Sequence, residues 1–323
     1  MADTDVSALR FNEGVVYMKR ATATVTVLMA IGALFGVAHA DTVCTGKGVE
    51  VQVLGSGGPE LQGKRASSSY LVWRDGKARV VIDAGGGSAL RFGESGARME
   101  DLEFILLSHL HEDHVGDLPA LFMSSYFGER TAPLPLFGPA GNTYFPATTV
   151  FIADLFDPAR GAYRYLGDYL GGHEDGYPLQ PHDVRLTAHE IRKVSTHDGI
   201  VISATTVIHG SVPALAWRIE LDRRSLVFSG DGNGDNGNLQ KLARGADLLI
   251  IHNAIPEGTD GPPRALHMPP SVIGAVAKSA NAHSLVLSHR MLRTLGHEEE
   301  TLSFIRKSYA GPVTFANDLD CFR

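Results

Sequence analysis

Residues 108–119 read SHLHEDHVGDLP. Three histidines and two acids fall within the six positions 109–114, directly after the apolar run EFILLS at 103–108. Such a run, bounded by turn-forming residues, predicts a buried strand, and VGDLPALFMSSYF (115–127) has helical spacing. The cluster therefore sits on a strand-to-helix loop. In an extended segment side chains two apart point the same way. His109 and His111 can thus serve one centre while Asp113 and His114 turn to a second. Imidazole and carboxylate donors at this density point to a gripped metal ion.

Upstream, VEVQVLGSGGP (49–59) and SSYLVWRDGKARVVIDAGGG (68–87) give β-branched runs broken by glycines, with an RDGK hairpin turn between two strands. Downstream, strands recur at ISATTVIHG, LAWRIEL, SLVFSGDG, DLLIIHN and SLVLSHR, with helices at NLQKLARGA and SVIGAVAKSANA between the later ones. The second half repeats the first in outline, and no solenoid repeat or low-complexity stretch is present. His209, Asp231, His252 and His289 each stand at the end of one of these strands. With the first cluster they match what two zinc ions need: about three nitrogen or oxygen ligands each, plus a bridging carboxylate. The expected fold is α+β, two mixed sheets packed face to face with helices outside, a four-layer αββα sandwich. It occupies 41–323 as one domain. The aromatic-rich stretch at about 120–180 reads as a partly helical insertion roofing the pocket, or as core or a homodimer interface.

Residues 1–40 are set aside. Met18-Lys19-Arg20 precedes the apolar run 21–37 and the small-x-small end Ala38-His39-Ala40, the pattern of a secretory leader removed after Ala40. The expected product is periplasmic or secreted, with no membrane segment after cleavage. Its two cysteines, Cys44 and Cys321, can join the ends of the exported chain. The formal net charge of -7 and the lack of Lys/Arg runs argue against nucleic acid as a partner.

IDAGG, HLHEDHVGD, VIHG, SGDG and LSH, in this order, resemble the five motifs of the metallo-β-lactamase superfamily along nearly all of 41–323. DHVGDLPALF, HGSVPALAWRIE, HNA with HMPP, and LVLSH are similar to its ribonuclease Z branch, which includes phosphodiesterases and arylsulfatases. The resemblance implies that His109, His111 and His209 bind one zinc, that Asp113, His114 and His289 bind the other, and that Asp231 bridges. It also implies that Asp83 orients a ligand histidine and that His267 donates a proton to the leaving group, which makes Asp113, His267 and Asp83 the candidate catalytic set. Iron-binding oxygen and nitric-oxide reductases of the superfamily carry a carboxylate where His111 stands, so two zinc ions are expected, with manganese or iron as alternatives.

Two departures stand out. Asn253 occupies the position where the ribonuclease Z branch has a glutamate, and the basic tRNA-clamping arm of that branch is not recognisable. The expected activity is therefore an exported dinuclear-zinc hydrolase of a small ester or phosphodiester-like molecule, with zinc supplying hydroxide from water at neutral pH. A β-lactamase or lactone hydrolase is the second reading. A ribonuclease Z-like nuclease ranks lower, on export and charge. A metal-binding protein without turnover is disfavoured by the complete ligand set.

Overall fold

Strand ends place this site, because each expected metal ligand closes or follows a strand, while His267 follows the short helix Pro262–Leu266. The computed structural model describes Cys44 and residues 46–171 and 177–323. The leader expected at 18–40 lies outside the described residues. The strands are β1 Val49–Gly55, β2 Ser69–Arg74, β3 Lys77–Ile82, β4 Phe104–Leu106, β5 Leu134–Pro139, β6 Leu179–Val184, β7 Ile191–His197, β8 Ile200–His209, β9 Val212–Leu221, β10 Arg224–Phe228, β11 Leu248–His252, β12 Ser284–Ser288, β13 Val313–Phe315 and β14 Cys321–Phe322.

They form two seven-stranded sheets, ordered β14-β1-β2-β3-β4-β5-β6 and β13-β12-β11-β10-β9-β8-β7. Each begins as an antiparallel meander and continues as parallel strands, from β3 to β6 in the first sheet and from β10 to β13 in the second. The RDGK turn joins β2 to β3 with Asp75 at φ 48° and Gly76 at φ 76°. Two consecutive positive φ values match the right-handed twist of the hairpin.

Period-two alternation sorts the side chains into layers. Val80 and Ile82 face inward to meet Trp217, Ile219, Phe228 and Ile250 of the second sheet. Val81, Ile105 and Leu107 face outward beneath the helices Ser88–Glu94, Leu118–Ser125 and Thr148–Phe156. On the far side, Val227, Leu249 and Leu287 lie beneath Asn238–Leu242, Pro270–Ala280 and Glu298–Ile305. The result is the helix–sheet–sheet–helix sandwich.

The aromatics of 120–180 follow the core alternative rather than the roof. The stretch supplies β5 to the first sheet, and its Phe122, Phe156, Tyr169 and Tyr177 are buried in the core outside that sheet. A strand spelled LPLFGP, with two prolines, carries little strand signal, so its aromatic neighbours read as an addition rather than as a layer.

A disulfide joins Cys44 to Cys321, 277 residues apart, at the edge where β14 pairs with β1. Closing so long a loop restricts the unfolded chain. The double variant Cys44→Ser/Cys321→Ser is expected to lose about 2–5 kcal/mol of unfolding free energy in denaturant melts.

Candidate metal centre

β4, β8, β10, β11 and β12 all end at one rim, because β8 and β10 are both antiparallel to β9 and β10 to β12 are parallel. Parallel-sheet ligand sites form outside such carboxyl ends. After β4 the backbone stays irregular from 107 to 111, with His111 extended at φ -69°, ψ 151°; a one-turn helix, Glu112–Val115, then swings Asp113 and His114 away. Gly85, from the IDAGG loop, lets this turn close, since a Cβ there would stand 2.1 Å from the Asp113 carbonyl oxygen.

Two donor groups result. His109 Nε2 and His209 Nε2 lie 3.0 and 3.3 Å from His111 Nδ1. Tetrahedral bonds of about 2.0–2.1 Å put neighbouring donors about 3.3 Å apart, so this spacing fits a cation. On the other side, His289 Nε2 is 3.1 Å from Asp113 Oδ2, and His114 Nε2 is 3.7 Å from the same oxygen. Between the groups stands Asp231. Its Oδ2 lies 3.9 Å from His109 Nε2, 3.7 Å from His209 Nε2, 3.6 Å from His114 Nε2 and 3.5 Å from His289 Nε2. One buried carboxylate oxygen thus faces four imidazole nitrogens.

Acceptor-only partners settle the tautomers. His209 Nδ1 donates to the Leu266 carbonyl at 2.9 Å, which leaves a lone pair on Nε2. His114 Nδ1 donates to Asp83 Oδ2 at 2.7 Å, and its Nε2 has no hydrogen-bond partner. The Asp83 carboxylate also accepts from the Ser108 N–H at 2.6 Å and the Ser108 hydroxyl at 2.7 Å; that hydroxyl oxygen then accepts from His109 Nδ1 at 3.1 Å. One carboxylate therefore aims two imidazoles, a second-sphere arrangement that fixes metal ligands. Asp83 and His289 both hold positive φ, 57° and 53°, which non-glycine residues adopt only when surroundings enforce it.

Burial and neighbouring charges pull the groups of the site in opposite directions. Burial, reinforced by His114, holds His109 far below the ordinary imidazole range. Burial also opposes charge on His114, but Asp113 and Asp83 outweigh it and keep that ring well above the usual value. For Asp231, burial is outweighed by His289 and His267, and the carboxylate stays ionised far below its ordinary range. These residues form a cluster suited to a metal cofactor.

The sequence reading missed Tyr70 and counted His252 among the candidate ligands without assigning it to either ion. His252 Nδ1 lies 2.6 Å from Asp231 Oδ1, and the buried Tyr70 hydroxyl lies 2.9 Å from His252 Nε2. Burial pushes the phenol far above its usual range, so it is neutral and donates; His252 in turn donates to Asp231. This chain pins the central carboxylate. Tyr70→Phe is expected to weaken metal binding about 10- to 100-fold in a competitive chelator titration, with the melting profile of the metal-free protein little changed. An unaltered affinity would mean that the phenol merely fills space.

His267 sits at the mouth, with Nδ1 3.7 Å from Asp231 Oδ1 and no hydrogen-bond partner there. Burial pushes it down to about 3. Asn253 is fully buried, and both side-chain amide atoms lack a hydrogen-bond partner.

Comparison with known proteins identifies the family. The family model of the metallo-beta-lactamase superfamily matches residues 63–260. A ribonuclease Z of Mycolicibacterium paratuberculosis is 30% identical over 284 residues, covering 84% of this chain and 96% of its own length. Among solved structures, the metallo-beta-lactamase fold protein YhfI from Bacillus subtilis superposes with a TM-score of 0.65 at 21% identity, over 85% of this chain and 99% of its own. The short form of human tRNase Z does so with a TM-score of 0.64 at 21% identity, over 85% and 98%. A family match over residues 63–260 and a relative aligned almost end to end make this chain a metal-dependent hydrolase that belongs to the metallo-beta-lactamase superfamily, in the branch of its ribonuclease Z relatives.

Proposed function

We propose that this protein hydrolyses phosphodiester bonds of RNA at a centre holding two zinc ions. The observation that carries the reading is Asp231 Oδ2, within 3.5–3.9 Å of four imidazole nitrogens in two groups. A carboxylate so placed suits a pair of cations, and the choice of RNA follows the relative named ribonuclease Z. His109, His111 and His209 would hold one ion; Asp113, His114 and His289 would hold the other, with Asp231 shared.

When bound, such a pair supplies a water nucleophile at neutral pH and neutralises charge on the phosphoryl oxygens. The chain's own residues do the rest. Asp83 and Ser108 keep His114 and His109 aimed, His252 holds Asp231, and His267 delivers a proton to the departing oxygen.

This reading replaces two expectations drawn from the sequence, a small ester or phosphodiester-like substrate and the exclusion of nucleic acid. The ribonuclease Z relatives, matched over 84% of the chain, overturn both. A net charge is a sum over the whole surface; what a polyanion meets is the local field around the centre.

The test is metal analysis of protein from zinc-supplemented growth, together with cleavage of an oligoribonucleotide, a DNA of the same sequence, and a panel of esters and β-lactams. Two zinc equivalents per chain and RNA cleavage lost to a chelator are expected. A metal-free protein, or one that turns over esters and leaves RNA intact, would sink the proposal. The Cys44–Cys321 bond and the leader-like 18–40 segment support action outside the reducing cytoplasm. Thiol titration of unfolded protein recovered from the cell exterior or periplasm should find no reactive thiol, and two per chain would refute that placement.

A further inference from the structure

Three hollows lie in a row on the surface, joined by touching or shared residues. The first, about 340 Å³, contains His111, His209, Asp231, His267 and His289. Gly210, next to His209, borders the second, about 300 Å³, whose wall includes Asn142, Arg185 and Ser211. Leu266 links the two: it lines the first hollow, and its Cδ2 would stand 2.9 Å from a Cβ at Gly210. Val184 and Arg185 line both the second hollow and a third of about 290 Å³, where Phe137, His182, Arg192 and Lys193 meet. This last hollow opens between β6 and β7, the terminal strands of the two sheets.

The chemistry of the far end differs from that of the rest of an acidic protein. Arg185 and Lys193 are exposed and have no acidic ion-pair partner among the described residues. Arg192 is engaged by Glu190 at 3.3 Å and donates to the Arg185 carbonyl. The one carboxylate in this wall, Asp183, is occupied, accepting from the Thr149 N–H and hydroxyl at 2.9 Å each. Beside these cations the His182 ring is exposed and stacks on Phe137 with centroids 4.8 Å apart. Two cations without acidic partners among the described residues, beside an exposed ring, match the needs of a single-stranded polynucleotide, whose phosphates are neutralised while its bases stack.

We infer that this groove carries an RNA strand between the metal centre and the β6/β7 edge, with phosphates at Arg185 and Lys193 and a base on His182. The inference rests on the proposed RNA substrate.

The test uses the full-length, zinc-loaded protein and the double variant Arg185→Gln/Lys193→Gln. Binding of a labelled oligoribonucleotide, long enough to span the groove, is followed across a salt series by fluorescence anisotropy. Losing two phosphate contacts should flatten the slope of log affinity against log salt by about 1.4, at about 0.7 per contact for a single strand. Hydrolysis of bis(p-nitrophenyl) phosphate, too small to reach the groove, should be unchanged and shows that the variant is folded. His182→Ala should weaken binding about fivefold or more without altering the slope. A wild-type slope in the double variant, with RNA still bound, overturns the groove and leaves the RNA substrate standing. If the unaltered protein hydrolyses the small diester and neither binds nor cleaves RNA, the substrate reading falls and takes the groove with it.

Discussion

Asp231→Ala is expected to strip the centre of metal and to lower turnover by several orders of magnitude. Four imidazole nitrogens face one oxygen of this carboxylate, and its other oxygen is held by His252. With the two ions of the proposed function bound, its removal would leave them side by side with no shared counter-charge, and their repulsion at short range in a buried site is large. Metal analysis after dialysis should show at least one ion lost. Asp231→Asn tests the same point with the shape kept: the amide cannot supply the charge, so metal loss should persist. Full zinc content in both variants would contradict the shared role given to this residue.

His267→Ala is expected to cost on the order of 10²- to 10⁴-fold in turnover of RNA, where the leaving ribose oxygen needs a proton. The imidazole stands at the mouth, touches no residue of the first histidine group other than His209, and is neutral as it stands because burial disfavours its charge. An arriving phosphate brings negative charge, which raises the proton affinity of a neighbouring imidazole. On bis(p-nitrophenyl) phosphate, whose leaving group departs unaided, the loss should be much smaller, with zinc content unchanged. Equal losses on the two substrates, or loss of zinc, would assign His267 to shaping or ligating the centre instead.

The positions around the metal centre were legible because strand ends broadcast them. His109, His111, Asp113 and His114 share one loop, while His209, Asp231 and His289 each close an apolar run, so period and punctuation suffice. Their donor atoms meet because of strand direction, which the alternation of strands and helices also implies. Tyr70 was not legible. It lies 182 residues from His252, inside a strand where an aromatic residue is ordinary, and its polar atom matters only because β2 and β11 face one another across the sandwich.

The substrate class was misjudged for a different reason. Composition adds every charge on the molecule, whereas the groove we infer rests on Arg185 and Lys193 having no acidic partner among the described residues, a property of neighbours brought together by folding. The strand within 120–180 escaped notice because the prolines of β5 mask its pairing with β4 and β6.

The bond between Cys44 and Cys321 makes the described chain a covalent loop. A protease cutting the exposed hairpin turn at Asp222–Arg223 would not release two pieces, since the bridge still ties 44–222 to 223–323. β9 and β10 would stay paired across the cut, and the nicked molecule would keep its rim of ligands. Under non-reducing electrophoresis it should run as one species, and only a reductant would part it. Closure of this kind lets a single cut pass without loss of the fold.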